Sequence, residues 1–140
     1  MSKSKISVIG GGSFGTVIAN ISAENGYEVS FWMRNKSQAE QLNRTRENSQ
    51  YLPSYLLNER IVATSDMAGA VKDSGLIFVA VPSSSFRQVV RDMVPHISDD
   101  AVLVSTTKGV ESGSFYMMTQ ILNQEAPKAK VGVLSGPNLA

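Results

Sequence analysis

Apolar positions along this chain fall into short runs rather than one continuous periodic stripe. The runs are Ile6 to Ile9, Glu28 to Met33, Arg60 to Thr64, Leu76 to Val81, Ala101 to Thr106 and Val131 to Leu134. Most are unbroken and rich in Val and Ile, without strict apolar–polar alternation. Strands of a parallel sheet covered on both faces read this way, because neither side of such a strand meets water.

The segments between the runs have helical length. Ser13 to Asn25 predicts a helix whose apolar stripe is Val17, Ile18 and Ile21, with Gly26 as the residue just past its end. Lys36 to Arg46 predicts a second helix with a polar face, and Gln50 to Glu59, carrying Pro53, predicts irregular backbone. Asp66 is placed to cap a short helix ending near Val71. Phe86 to Val94 predicts a helix stopped by Pro95. Phe115 to Asn123 predicts another, with Met118, Ile121 and Leu122 on one side. The order βαβα(loop)βαβαβαβ, joined by right-handed crossovers, predicts an α/β fold with an open, doubly wound, mostly parallel sheet. After the last run, Ser135 to Ala140 reads as the beginning of a turn and a helix, so the chain is expected to be a fragment of a longer protein.

Composition narrows the function classes. With 140 residues the chain is expected to form one domain, spanning 1–140. The 42% hydrophobic and 18% charged content is that of a globular protein. A net charge of +1 supplies no field that would favour nucleic acid or an anionic membrane. The lack of cysteine excludes disulfides, thiolate catalysis and Cys-based metal sites. The apolar stretch after Lys5 is too short and glycine-rich for a signal-peptide core, and no run approaches the ~20 residues of a membrane span. A cytoplasmic protein is expected.

Candidate chemistry begins at the first strand–helix junction. Gly10-x-Gly12-x-x-Gly15 has the dinucleotide spacing, with a strand before it and a helix after it. That context makes the fold Rossmann-type. Gly10 allows the tight turn, Gly12 lets backbone approach a pyrophosphate, and Gly15 lets the helix pack close to the sheet. Free amides near Ser13 and Phe14 would face the phosphates at the helix N-terminus. Gly11 belongs to the same cofactor-binding turn, though the spacing gives no steric reason for a glycine there.

Further candidates follow the strand ends. The second strand ends in Met33-Arg34-Asn35 rather than in the carboxylate that often accepts the adenosine ribose hydroxyls. Arg34 can pair with a 2′-phosphate and stack on adenine, so NADP is expected to bind, and to be favoured over NAD. Lys108 follows the fifth strand, where a fixed cation can polarise a carbonyl or hold an anionic substrate. The serines of Val81-Pro82-Ser83-Ser84-Ser85-Phe86 read as caps of the next helix. His96 falls on the far side of the sheet, Trp32 reads as packing, Met117 and Met118 read as helix residues, and no metal-spaced ligand set appears.

GGGSFGT, FWMRN, QYLP, VAVPS, STTKG and SGPNLA stand in the order found in the NAD(P)-dependent glycerol-3-phosphate dehydrogenase family of bacterial type, which the chain resembles over essentially its whole length. The resemblance implies hydride transfer between NAD(P)H and dihydroxyacetone phosphate, giving sn-glycerol 3-phosphate for phospholipid synthesis. It also implies that Ser13 and Phe14 contact the pyrophosphate, that Arg34 and Tyr51 lie at the adenosine end, and that Lys108 contacts nicotinamide and substrate. By the same resemblance, Gly136 and Asn138 line the substrate site and Ala140 touches the nicotinamide. Asn138 stands where many bacterial members carry Ser or Thr. The family's helical C-terminal domain, with its general acid/base lysine, lies outside these residues, so cofactor binding without turnover is expected of this chain. A homodimer is possible for the full-length protein. Two alternatives compete: a related NADP-dependent hydroxy- or keto-acid reductase, and a non-catalytic dinucleotide-sensing module.

Overall fold

The computed structural model describes residues 4–135. Six strands, β1 (Ile6–Ile9), β2 (Val29–Trp32), β3 (Ile61–Thr64), β4 (Leu76–Val79), β5 (Val102–Ser105) and β6 (Lys130–Val133), form one sheet. Their order is β3-β2-β1-β4-β5-β6 and all five pairings are parallel. The chain therefore starts in the middle, builds outward to β3, and returns past β1 to build the other half. This reversal between β1 and β4 is the topological switch point at which open α/β sheets bind ligands.

The two layers are set by strand alternation. Ile6 and Val8 of β1 point to the cluster that holds α1 (Ser13–Glu24) and α2 (Lys36–Thr45), together with Phe31, Leu42 and Ile61. Ile9 points the other way, into the cluster of α3 (Met67–Val71), α4 (Ser83–Met93) and α5 (Met118–Glu125), with Ile77, Val79 and Leu103. Ser7 shares that second face. Its hydroxyl bonds the Ala70 carbonyl and the Ser74 hydroxyl, so the one polar residue of β1 is satisfied where α3 ends.

Local rules account for most boundaries. α1 ends in a Schellman motif: Gly26 (φ 93°) donates to Ala23 and Tyr27 donates to Ser22. Asn35 caps α2 by accepting from the Gln38 amide at 3.1 Å. The exposed edge of β3 is covered from α2. The Asn43 side-chain amide exchanges two 2.8 Å hydrogen bonds with the backbone of Ala63, and Arg46 donates to the carbonyls of Asn58 and Ile61.

Several sequence expectations need correction. The buried stripe of α1 is Gly15, Ile18, Ala19, Ser22 and Ala23, whereas Ile21 is 53% exposed and Val17 is only partly covered. A helix packing close to a sheet favours small residues on the contact face, which a search for large apolar residues overlooks. α4 begins at Ser83, not Phe86. Its N-cap position falls on Pro82, so no serine acts as a side-chain cap. Asp66 does occupy the N-cap position of α3 but makes no side-chain cap bond. The segment expected to begin a helix at Phe115 is instead an arm: Val110 bridges Met117, Phe115 takes a positive φ of 60°, and α5 starts only at Met118. Met117 is thus a cap residue outside the helix.

Candidate functional site

A cleft of about 760 Å³ opens at the carboxyl ends of the strands, over the switch point. Its floor is the glycine turn from Gly10 to Gly12 with Ser13 and Phe14 of α1. One wall is the end of β2, with Met33, Arg34 and Asn35, joined by Gln50 and Tyr51 of the long loop. The opposite wall is Ala80 to Ser83 after β4, and Thr106 to Lys108 after β5.

The glycines occupy physically distinct positions. Gly10 has φ 124°, and a Cβ there would strike the Ala80 carbonyl oxygen. A Cβ on Gly15 would strike the Gly10 carbonyl oxygen. A Cβ on Gly12 would meet nothing within 4 Å, because it would project into open space. Gly11 acquires a reason that spacing alone did not supply: a Cβ would sit 2.8 Å from the Met33 Cβ and 3.2 Å from Gln38 Nε2. The backbone amides of Gly11, Gly12, Ser13 and Phe14 donate to no group among the described residues. A helix N-terminus with free amides on an open face suits an anionic group.

The two cations stand on opposite walls. Arg34 and Lys108 are both exposed and neither has an ion pair or side-chain hydrogen bond among the described residues. The backbone leading to Lys108 is anchored by its neighbours. Thr106 and Thr107 bend back onto β4, with the Thr107 hydroxyl donating to the Val81 carbonyl at 2.6 Å and the Thr106 amide donating to Val79 at 3.0 Å. The STTKG sequence therefore ties the end of β5 to the end of β4 and leaves Lys108 free.

Of the expected site residues, Gly10, Gly11, Gly12, Ser13, Phe14, Arg34, Tyr51 and Lys108 line this one cleft, and Gly15 lies beneath its floor. Gly136, Asn138 and Ala140 lie outside the described residues. The Ser13 hydroxyl is engaged, donating to the Tyr51 carbonyl at 3.0 Å, which leaves its amide as the free group. Trp32 both packs and lines the cleft, its indole donating to the Ser65 carbonyl at 3.1 Å. His96 is exposed after α4, at the other end of the sheet. Ser83 and Ser85 are wall residues, contrary to their expected role as caps. Gln38, Asn48 and Thr107 were not anticipated. Their partners lie 27, 37 and 26 residues away, so no local pattern marks them.

Beyond Lys108 the arm is held by a charge network. Arg87 of α4 grips Glu111 with two bonds of 2.6 and 2.9 Å, and reaches Glu125 of α5 at 2.6 Å. Arg91 also bonds Glu125 at 3.0 Å. Hydrogen bonding from Arg87, then from Ser114, pulls the Glu111 carboxyl from its ordinary 4.5 down to about 2. Arg91 is the main cause of a lowered value at Glu125. Because the folded arm binds a proton on Glu111 less readily than the unfolded arm, the network stabilises the arm at neutral pH. It weakens as pH falls below about 4.5 and is lost near 2. In a carboxyl-carbon NMR titration, Glu111 is expected to titrate near pH 2 and Arg87→Met to return it to the ordinary glutamate range. An ordinary Glu111 midpoint in the unaltered chain would contradict the grip.

A family model described as the NAD-dependent glycerol-3-phosphate dehydrogenase N-terminus matches residues 5–140. The glycerol-3-phosphate dehydrogenase (NAD(P)+) of Teredinibacter turnerae is 50% identical over 136 residues, covering 97% of this chain and 40% of the relative. That of Saccharophagus degradans is 48% identical over 139 residues, covering 99% and 39%. This chain thus spans less than half the length of these relatives. Among solved structures, glycerol-3-phosphate dehydrogenase from Coxiella burnetii superposes with a TM-score of 0.92 at 29% identity, covering 99% of this chain and 42% of that one. A ketopantoate reductase from Ralstonia eutropha has a TM-score of 0.74 at 20% identity, covering 92% and 40%, and shares the fold alone.

Proposed function

The chain belongs to the family of NAD-dependent glycerol-3-phosphate dehydrogenase N-termini, and from that premise we propose that it is the dinucleotide-binding part of an enzyme reducing dihydroxyacetone phosphate to sn-glycerol 3-phosphate. The observation that carries this reading is the meeting of the glycine turn, Arg34 and Lys108 in one cleft at the switch point. The residues fit the cofactor. Free amides on an open glycine suit a pyrophosphate, and an unpaired arginine on the adjoining wall suits a 2′-phosphate. The bound nicotinamide would supply the hydride.

The chain's own groups would do the rest. The amides of Gly12, Ser13 and Phe14 would hold the pyrophosphate, with Arg34 and Tyr51 at the adenosine end. Lys108, fixed by the threonines before it, would draw electron density from the substrate carbonyl that receives hydride. Gly136 and Asn138 would line the substrate pocket and Ala140 would meet the nicotinamide, all by family resemblance. A helical domain with a general acid/base lysine would complete catalysis, so the 140-residue chain alone would bind cofactor without turnover. A cytoplasmic setting, a role in phospholipid synthesis and a homodimeric full-length protein complete the reading. No helix among the described residues is long and apolar enough to cross a membrane.

Calorimetric titration tests the cofactor. The chain is expected to bind NADPH more tightly than NADH. Arg34→Ala is expected to weaken NADPH about tenfold, the scale of one charge-assisted phosphate contact, while leaving NADH nearly unchanged. Equal affinities insensitive to Arg34 would remove the preference for NADPH. Failure to bind either would remove the dinucleotide reading itself.

A further inference from the structure

Asn48 sits in the loop after α2, far from any fingerprint position, yet is only 2% exposed. Its side-chain amide donates to the Gly11 carbonyl at 3.0 Å and to the Thr16 hydroxyl at 2.8 Å. Thr16, fully buried in the first turn of α1, donates a hydrogen bond from its hydroxyl to the Gly12 carbonyl at 2.7 Å. The Gln38 amide supports the cluster, donating to the Gly11 carbonyl at 3.0 Å and to the Asn48 oxygen at 3.2 Å. The Gly11 and Gly12 carbonyls are therefore pulled inward by side-chain amides and one hydroxyl, the Gly12 carbonyl accepting as well from the Thr16 backbone amide at 3.0 Å.

The consequence follows from peptide geometry. In a trans peptide the C=O and the next N–H point in opposite directions. Drawing the Gly11 carbonyl toward Asn48 turns the Gly12 amide the other way, and drawing the Gly12 carbonyl toward Thr16 does the same for the Ser13 amide. Those are two of the four amides that donate to nothing among the described residues. A glycine-rich turn left to itself would sample many peptide orientations, and an anion would have to order it on binding. Buried polar groups this well satisfied specify one arrangement.

We propose that Asn48, acting through Thr16 and Gln38, is a positioning residue that pre-orients the Gly12 and Ser13 amides toward the cofactor pyrophosphate. This rests on the dinucleotide reading above. Asn48 is buried and does not line the cleft; it would set the direction of the amides that face it. Further bonds fasten the loop carrying Tyr51 to the turn, since the Tyr51 and Leu52 amides both donate to the Asn48 carbonyl and Ser13 donates to the Tyr51 carbonyl. Asn48 thus couples the wall that would hold adenosine to the floor that would hold the pyrophosphate.

The test uses the chain itself, isotopically labelled and titrated with NADPH, NADH and inorganic pyrophosphate while backbone amide signals are followed. In the unaltered chain the Gly12 and Ser13 amides are expected to shift with all three. Asn48→Ala and Thr16→Val are each expected to raise the dissociation constants at least about tenfold, on the scale of a lost buried hydrogen bond. Signals from β4, β5 and α5 should stay in place. Thr16→Ser, which keeps the hydroxyl, is expected to return binding to within about twofold of the unaltered chain. Unchanged affinity in both Asn48→Ala and Thr16→Val overturns the proposal while leaving the dinucleotide reading standing. So does a loss of binding accompanied by signal changes throughout the sheet that Thr16→Ser does not repair, because the role would then be structural. No binding by the unaltered chain overturns the underlying reading instead.

Discussion

Gly10→Ala is expected to destabilise the chain by about 4 kcal/mol and to abolish dinucleotide binding with it. Two costs coincide at this position. The backbone holds φ at 124°, a region costly for any residue with a Cβ, at roughly 1–2 kcal/mol or more. The new methyl would also be driven into the Ala80 carbonyl oxygen, an overpacking of the order of 1–3 kcal/mol. Neither side can yield readily. Gly10 is pinned to β2 through the Trp32 carbonyl at 2.9 Å, and Ala80 to β1 through the Ile9 carbonyl at 2.7 Å. A loss of about 4 kcal/mol is a large part of the ~5–15 kcal/mol that holds a domain together. Gly15→Ala is expected to follow with a loss of roughly 2–3 kcal/mol, because its methyl would meet the Gly10 carbonyl. Gly12→Ala separates folding from binding. Its methyl enters open space, so stability should stay within about 1 kcal/mol, the scale of a changed N-cap residue. Dinucleotide affinity should nevertheless fall at least about tenfold, because the methyl occupies the face the phosphates would approach. Urea unfolding paired with calorimetric titration reads both quantities. A Gly12→Ala chain as unstable as Gly10→Ala would refute this division of roles.

Phe86→Ala is expected to cost about 4 kcal/mol in the same unfolding experiment. Phe86 is fully buried in the first half of α4, within the cluster that joins β4 and β5 to α3, α4 and α5. Its removal would leave a cavity beneath the segment that carries Ser83 and Ser85 to the cleft wall. Phe115→Ala is the matched control. That ring is 76% exposed on the arm, so its loss should change stability by less than about 0.5 kcal/mol. Similar losses from both substitutions would show that the arm packs against something these contacts do not include. The pair matters because the sequence pattern treats the two residues alike, each as the opening of a helix. Phe86 lies three residues inside one, and Phe115 stands outside any.

Residues carrying their own local signal are legible from spacing and residue type alone. The six apolar runs correspond to the six strands. Burial on both faces explains the central β1 and its neighbour β2, whereas the edge strands β3 and β6 leave Val62 and Val133 exposed. The glycine spacing locates the cleft floor, and the positions of Arg34 and Lys108 after strand ends place them on its walls. Gly26 marks the end of α1 through its positive φ. The order of elements is enough to anticipate a doubly wound parallel sheet, since crossover rules leave few arrangements open.

Tertiary structure decided whatever depended on a partner distant in sequence. Whether Ile21 or Ala19 faces the sheet turned on how closely α1 approaches β1, a distance set by Gly15 against Gly10 and not by hydrophobicity. The reason for Gly11 appeared only when Met33 and Gln38 arrived beside it. Nothing in the local sequence singles out Arg87 or Glu111, which meet only because the arm folds back and α5 closes the network. Asn48 and Thr16 gave no sign of their connection, since nothing in either neighbourhood points across 32 residues to the other. Short-range preferences are written in spacing and residue type. A hydrogen bond between distant segments exists only after both have been packed against a common sheet, and at that stage the sequence determines what could form while geometry decides what does.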